Sequence, residues 1–360
     1  MGKVRIGFMG VGQDCFEEEF SHVCRCWGEH GECWRLEWGD LGLERWCRDF
    51  RPNLLVLHIR DGGGGGMGMG YERLEGLRVL APVRVLQWVG HSGLSDLGFR
   101  AILDRARGCD WTLCSDWSLV DRLGSILGGG VCVGYMPIGY GEPDYFGGGP
   151  GSGGGGVLVL GSDWYGGDLG SDWDRYRYRK GLEGGIERRV LGLGLGLGFR
   201  DVLGFVGGGW SLSYGRVWTV PRSGSGLLLR GADVLVVHTY YAGVRGHVPS
   251  WLWLAMGSGR PVVVRRVEGL EELVVHGEHC LMWDTVRECE IMVGRLLSDR
   301  SLGERIGLRG YELVRGLHRW EDRIGVLWGQ LGLEGGSYRV VSSGTGGSRL
   351  RLGLARLRSG

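Results

Sequence analysis

The chain has 360 residues, a length that favours two domains of ordinary size over one large core. Its 42 basic and 41 acidic side chains give a net charge of +1, which offers no sign of a nucleic-acid partner or an anionic membrane. No apolar run approaches the ~20 residues of a membrane span, and the N-terminal apolar run is too short for a signal peptide. We therefore expect a cytoplasmic protein with no transmembrane segment.

Glycine dominates the composition, with 75 residues. Average glycine usage is about 7%, so glycine motifs carry little specificity in this chain. Lysine occurs only at Lys3 and Lys180. This pattern fits a hypothesis of adenine-to-guanine drift in the gene, which converts Lys, Asp and Glu codons towards Arg and Gly. Catalytic carboxylates must therefore be checked one position at a time.

Short apolar runs alternate with helical patterns through the first half of the chain. This alternation predicts a parallel α/β sheet. The glycine-rich turn 10–14 after the first strand fits a tight turn better than a phosphate site. The predicted strands are 4–9, 54–58, 83–89 and 110–115, and the predicted helical segments are 102–106 and 118–127.

One group of metal-ligating residue types lies near the N-terminus. Cys24, Cys26 and Cys33 are close in sequence to His22 and His30, but the chain contains no Cys-x-x-Cys pair. Reduced thiols of a cytoplasmic protein explain these cysteines better than a metal site does. We therefore predict no metal site and keep the metal reading as the less favoured alternative.

A stretch of Gly, Ser and Pro divides the chain. Residues 147–156 hold no apolar side chain and are predicted to be a linker. This places a first domain at 1–146 and a second at 157–330. The Gly-, Ser- and Arg-rich tail at 331–360 is expected to be disordered, with nucleic-acid binding by the tail as a less favoured reading.

The second domain repeats the α/β pattern. Strands are predicted at 157–160, 234–237 and 262–264, and a helical turn ended by Gly257 and Gly259 precedes the last of them. Ligands of open parallel sheets sit outside the carboxyl ends of the strands. The loop 238–250 and the turn 265–272 are therefore expected to line a pocket.

Three segments resemble a known family. Residues 254–263 are similar to an E-A-M-A-x-G-x-P-V-V motif, residues 268–277 to a G-G-x-x-E-L-V-x-x-G turn, and residues 137–146 to a P-x-G-x-D-x-x-x-F segment. Together they resemble GT-B glycosyltransferases of the "group 1" or CgeB-like type. The resemblance implies an α/β fold of two Rossmann-like domains facing each other across a cleft, with a final helix crossing back onto the first domain.

The resemblance also implies an activity. A nucleotide-sugar donor would bind the second domain and pass its sugar to an acceptor, a glycan, lipid or protein, on the first. Such hexosyltransferase-like enzymes need no metal and no cofactor. The site residues implied are His91, Glu271 and Glu272 for catalysis, and Gly161, Ser162, Lys180, Gly269 and Glu272 for donor binding.

The family's two donor-binding glutamates are missing. Their positions hold Gly246 and Leu254, and an alternative register gives Ala242 for the first. Glu271 and Glu272 are the candidates to compensate, with Glu268 as an outsider. Two readings stay open: a glycosyltransferase with weak or no activity, and a non-catalytic or degenerate GT-B-fold protein that binds sugar nucleotides. A sugar-nucleotide epimerase is a distant third.

Overall fold

The chain forms two compact units in a computed structural model. One unit holds residues 1–141 and 320–355, and the other holds residues 142–319 and 356–360. The described residues are 3–11, 17–36, 42–59, 70–80, 83–90, 96–128, 131–141, 157–161, 203–206, 209–213, 217–220, 229–239, 242–249, 251–331 and 350–351.

The first unit is built on a parallel sheet of seven strands. Their order is β14-β6-β5-β4-β3-β1-β2, so the chain runs from β1 to one side for β2 and to the other side from β3 onward. The strands are β1 (Arg5–Val11), β2 (Glu32–Leu36), β3 (Leu54–Ile59), β4 (Arg84–Val89), β5 (Trp111–Cys114), β6 (Cys132–Tyr135) and β14 (Leu350–Arg351).

Helices link these strands and cover the sheet. Strand β3, inside the sheet, is buried along its whole length, as its run of Leu, Val and Ile predicts for a sheet covered on both faces. Asp116 caps the fifth helix, because its side chain accepts a hydrogen bond from the Leu119 amide. The helices are α1 (Glu17–Gly28), α2 (Leu43–Phe50), α3 (Tyr71–Leu80), α4 (Asp96–Arg107) and α5 (Trp117–Leu127).

The second unit contains another sheet of seven strands, in the order β10-β9-β8-β7-β11-β12-β13. Neighbouring strands are parallel along the stretch β8-β7-β11-β12-β13. Strand β9 pairs antiparallel with both β8 and β10. Its strands are β7 (Val157–Gly161), β8 (Leu203–Val206), β9 (Gly209–Ser213), β10 (Val217–Val220), β11 (Val234–His238), β12 (Val262–Arg265) and β13 (Leu281–Trp283).

The second unit also contains three α-helices and one 3-10 helix, besides the helical residues 229–231. Thr285 and Glu288 form a capping box at the start of α7, so two backbone N–H groups are satisfied there. The helices are α6 (Leu252–Gly257), the 3-10 helix (Leu270–Glu272), α7 (Val286–Ser298) and α8 (Arg300–Leu317).

The last helix, α9 (Trp320–Leu331), belongs to the first unit. The Trp320 amide donates to the Tyr140 carbonyl at 2.9 Å, and the buried Arg323 guanidinium donates to the carbonyls of Pro137 and Ile138. The predicted second domain ended at 330, whereas these contacts place residues 320–331 with the first unit. This agrees with the return of the final helix that the family resemblance implies.

Strands β8 and β9 pair antiparallel, with Leu203 opposite Leu212 and Val206 opposite Gly209. One further difference from the sequence analysis lies in the C-terminal tail. Within the tail expected to be disordered, Leu350 and Arg351 pair in parallel with β6. The predicted linker 147–156 lies outside the described residues. No helix in the described part of the chain is long and apolar enough to cross a membrane.

Candidate functional site

The second sheet has a point where the strand order reverses. Strand β7 lies between β8 and β11, so the chain leaves β7 and β11 towards opposite sides. At this place Gly161, the last residue of β7, is the register partner of His238, the last residue of β11. Ligands of open α/β sheets bind at such a switch point, outside the carboxyl ends of the strands. The predicted donor residue Gly161 therefore stands at the position where a ligand is expected.

Polar side chains continue from the end of β11. His238, Thr239 and His247 are all buried, and the Thr239 hydroxyl lies 3.4 Å from His247 Nε2. Arg265, the last residue of β12, donates from Nη1 to the Thr239 carbonyl at 3.1 Å. Buried polar groups are retained when they are hydrogen-bonded to one another. These bonds tie the ends of two neighbouring strands and the following loop into one polar cluster.

The two loops expected to line the site meet through their backbones. Gly246 donates its amide to the Glu268 carbonyl at 2.7 Å. The φ angles of Gly246 and Gly269 are +76° and +85°, values that glycine adopts without strain. A Cβ on Gly269 would lie 3.4 Å from the Gly246 nitrogen. Glycine at both positions therefore allows loop 242–249 and turn 265–272 to approach each other closely.

The predicted catalytic carboxylates lie on that turn. Glu271 Oε1 accepts a hydrogen bond from Arg266 Nη1 at 2.7 Å, and Arg266 Nε also donates to Asp284 at 3.1 Å. The hydrogen bond that Arg266 donates to Glu271 is the main reason why the pKa of Arg266 is raised. Glu271 is thus part of a surface ion-pair cluster that holds the turn against the end of β13.

Glu272, also predicted for both catalysis and binding, occupies the end of the 3-10 helix and is exposed. Its backbone amide donates to the Gly269 carbonyl at 3.2 Å, so its position follows directly from the Gly269 turn. Glu268, the outsider among the carboxylates, lies 3.9 Å from Arg245 Nε across the loop contact.

The positions of the missing glutamates differ in their local geometry. Gly246 has a positive φ, so any side chain there would strain the backbone. Leu254 lies in α6, is partly buried, and its carbonyl accepts the Ser258 amide at 3.1 Å. The backbone at 254 is therefore ordinary helix that a glutamate could adopt, whereas the backbone at 246 is not suited to one.

Three predicted site residues, His91, Ser162 and Lys180, lie outside the described residues, and their roles stay predictions. Sequence reasoning missed three residues that the structure brings together: Thr239, His247 and Arg265. The sequence signal that could have identified them was their position relative to the predicted strands. Thr239 and Arg265 come directly at the ends of two buried apolar strands, where ligand-facing side chains concentrate.

The first sheet has its own reversal, between β1 and β3, and aromatic side chains fill it. His58 at the end of β3 is 2% exposed, and its Nε2 lies 3.1 Å from Glu19 Oε1. The His58 ring stacks on Trp88 with centroids 4.2 Å apart and meets Trp320 edge-on at 5.3 Å. A Cβ on Gly10 would lie 2.5 Å from the Phe20 ring, so that ring packs directly on the backbone of β1.

The chain is similar to known glycosyltransferases in part of its sequence and in its fold. Residues 206–328 match the model of a family described as "Glycosyl transferase-like". No curated protein sequence matches the chain. A sucrose-phosphate synthase from Thermosynechococcus elongatus is similar in structure with a TM-score of 0.55 and 16% identity, over 91% of this chain and 99% of that one.

Anabaena HepE has been solved in complex with UDP and glucose and in complex with UDP-glucose. The first of these structures has a TM-score of 0.53 and 13% identity, over 91% of this chain and 99% of that one. The second has a TM-score of 0.52 and 13% identity, over 90% of this chain and 99% of that one. The fold is that of the GT-B glycosyltransferases. In GT-B terms, the polar cluster at β7, β11 and β12 lies in the C-terminal Rossmann-like unit.

Proposed function

We propose that this protein transfers a sugar from a nucleotide-sugar donor, and that the donor binds at the switch point of the second unit. One observation carries the proposal. The region matching the glycosyl transferase-like family, 206–328, contains the polar cluster of Thr239, His247 and Arg265 and the Gly246–Gly269 contact. The family match and the expected ligand position of the fold therefore coincide.

The chemistry of the donor explains what these residues would do. A departing nucleoside diphosphate carries negative charge, which fixed cations and backbone N–H groups stabilise. Arg245 lies on the loop that contacts the Gly269 turn, and its side chain is 47% exposed. We assign it, with Lys180, to the diphosphate. Glu272 is our candidate to accept hydrogen bonds from the ribose hydroxyls.

A specific observation also favours a second function, binding of sugar nucleotides without catalysis. The positive φ of Gly246 shows a loop adapted to glycine rather than to the glutamate that the family resemblance expects. With Leu254 at the second position, both family glutamates are replaced. Such a chain could retain the nucleotide site and lack efficient transfer.

UDP-glucose is the first donor to test, because HepE has been solved with it. Calorimetric binding of UDP and UDP-glucose should be measured beside GDP and ADP, followed by hydrolysis of each donor that binds. Binding with turnover supports the transferase, and binding without turnover supports the binding protein. A well-folded chain that binds none of these nucleotides would overturn both.

The site itself is tested by a matched pair of variants. Glu272→Gln should weaken donor binding by about 1.5–3 kcal/mol, the range for a hydrogen bond to a charged group. Glu312→Gln serves as the control, since Glu312 is an exposed carboxylate on α8 of the same unit. Equal affinities for the two variants would remove Glu272 from the donor site.

We also place the protein in the cytoplasm. The nine cysteines in the described part of the chain form no disulfide bond, which suits a reducing compartment. Fractionation of cells that express the chain would test this placement.

A further inference from the structure

A group of metal-ligating side chains lies between two helices of the first unit. His22 and Cys26 are four residues apart on α1, and so they share one face of that helix. Glu321 in the first turn of α9 faces them. His22 Nε2, Cys26 Sγ and one Glu321 carboxylate oxygen all lie within 4.8 Å of one another. The described residues contain no other such group of three.

We propose that His22, Cys26 and Glu321 bind a divalent transition-metal ion of the zinc class, with water as a fourth ligand. Zinc bonds to nitrogen, oxygen and sulfur ligands are about 2.0–2.3 Å long, so tetrahedral ligand atoms lie about 3.3–3.8 Å apart. The distance from His22 Nε2 to Glu321 Oε1 is 3.4 Å. The pair therefore needs almost no movement to share an ion.

The chemistry of the three side chains selects the metal. A thiolate with an imidazole and one carboxylate suits zinc or cobalt, whereas magnesium and calcium prefer oxygen ligands throughout. Cys26 is 2% exposed, which keeps competing water from the sulfur. Cys26 lies beside the Glu321 carboxylate, whose negative charge a bound cation would offset. The thiol proton that the metal displaces would pass to solvent.

One contact must change when the metal binds. Arg25 Nη2 lies 3.4 Å from His22 Nδ1 and donates to it, which requires a lone pair on Nδ1. With a metal on Nε2, the proton moves to Nδ1, and Arg25 has to turn away. Arg25 is exposed, so this movement meets solvent rather than packed side chains.

The two neighbouring cysteines, Cys24 and Cys33, make a different contact from Cys26. Cys24 and Cys33, which the sequence grouped with Cys26, face each other with sulfur atoms 3.6 Å apart and join α1 to β2 instead. The metal would instead fix α1 to the first turn of α9. His22 is also close to Gly141, where a Cβ would lie 3.0 Å from its ring. The ion would therefore hold together the places where the chain leaves and re-enters the first unit. This role does not depend on the proposed function.

Cobalt is the probe, because a thiolate ligand gives Co²⁺ an intense charge-transfer band. The full chain is stripped with a chelator, titrated with Co²⁺ and then back-titrated with Zn²⁺. We expect one equivalent of Co²⁺ to produce the band and Zn²⁺ to abolish it. Cys26→Ala should lose the band, and the matched variant Cys24→Ala should keep it.

A second variant covers the case in which Cys26→Ala does not fold. Glu321→Gln keeps the thiol, and loss of one ligand should weaken Co²⁺ binding at least about tenfold, since even second-shell changes cost about 10–100-fold. Zinc should raise the melting temperature of the wild type more than that of Glu321→Gln. A folded wild type without the band would overturn the proposal. So would a band that follows Cys24, or equal Co²⁺ affinity in Glu321→Gln.

Discussion

The switch points of the two sheets are surrounded by different kinds of side chain. In the first unit, the place between β1 and β3 is packed by Phe20, His58, Trp88 and Trp320, all of them buried. In the second unit, the corresponding place between β7 and β11 is bordered by hydrogen-bonded polar groups and by two glycines with positive φ. The same strand geometry thus supports a hydrophobic core in one unit and a polar cluster in the other.

A ligand site is therefore expected at the switch point of the second sheet and not at that of the first. A crevice filled with stacked aromatic rings has already buried the surface that a ligand would need, whereas polar strand ends beside close backbone turns offer hydrogen bonds. This contrast predicts different effects for mutations at the two switch points. Truncation in the aromatic cluster should destabilise the fold, and changes in the glycine turns should lower donor affinity together with a smaller loss of stability.

The largest effect is expected for Trp320→Ala. Trp320 is 1% exposed, packs against His58 and Trp88, and covers Gly139, where a Cβ would lie 2.4 Å from its ring. Removing a buried Trp side chain leaves a cavity and should cost about 3–5 kcal/mol. Urea unfolding followed by tryptophan fluorescence and circular dichroism would measure this loss.

Val326→Ala provides the control on the same helix. Val326 is 43% exposed, so its truncation should change stability by less than about 0.5 kcal/mol. If Trp320→Ala were as mild as this control and also weakened donor binding, the first switch point would be a ligand site rather than a core.

A smaller effect is expected for Gly246→Ala and Gly269→Ala. An L-residue with left-handed backbone costs about 1–2 kcal/mol. A methyl group at position 269 would also crowd the contact with Gly246. Donor affinity should fall with stability, because these turns shape the proposed site. Thermal melts and calorimetry would measure the two effects.

Gly243→Ala is the matched control for both variants. Gly243 lies in the same loop without a positive φ, and a Cβ there would meet nothing within 4 Å. We expect its stability and donor affinity to stay within the error of wild type. Gly246→Ala with full affinity and unchanged melting temperature would contradict the role of this turn.

The smallest stability effect is expected for Glu271→Ala. The Glu271–Arg266 pair is partly exposed, and such surface pairs contribute about 0–1 kcal/mol. Arg266 also keeps its second partner, Asp284. Donor hydrolysis decides between two roles, because loss of a general acid or base costs about 10²–10⁴-fold in rate. Unchanged turnover in an active protein would assign Glu271 to the ion-pair cluster alone.

Much of the fold could be predicted from the sequence because the central strands are continuous apolar runs. Such apolar runs predict strands β3, β4, β11 and β12. Strand β2 was missed because it lies at a sheet edge, is only partly buried, and reads Glu-Cys-Trp-Arg-Leu. Helix α1 was readable in principle, since Phe20, Val23 and Trp27 recur at helical spacing.

The site was predictable only in outline. Strand order and strand ends located the loops, but the sequence could not show that Gly246 has a positive φ. Nor could it show that Arg266 holds Glu271, because that bond depends on the path of the turn. The proximity of His22 and Cys26 to Glu321 was hidden for a different reason: most of the first unit and all of residues 142–319 separate them along the chain.

That separation has a consequence for synthesis. The second unit is in effect an insertion into the first, since residues 142–319 interrupt the segments that form it. On a ribosome adding about 5–20 residues per second, the Gly139 surface would wait on the order of ten seconds or more for Trp320. During that interval the rings of His58 and Trp88 lack their cover. The first unit, although it is begun first, can be completed only after the second has been synthesised, and the exposed rings are the surface that a chaperone would meet.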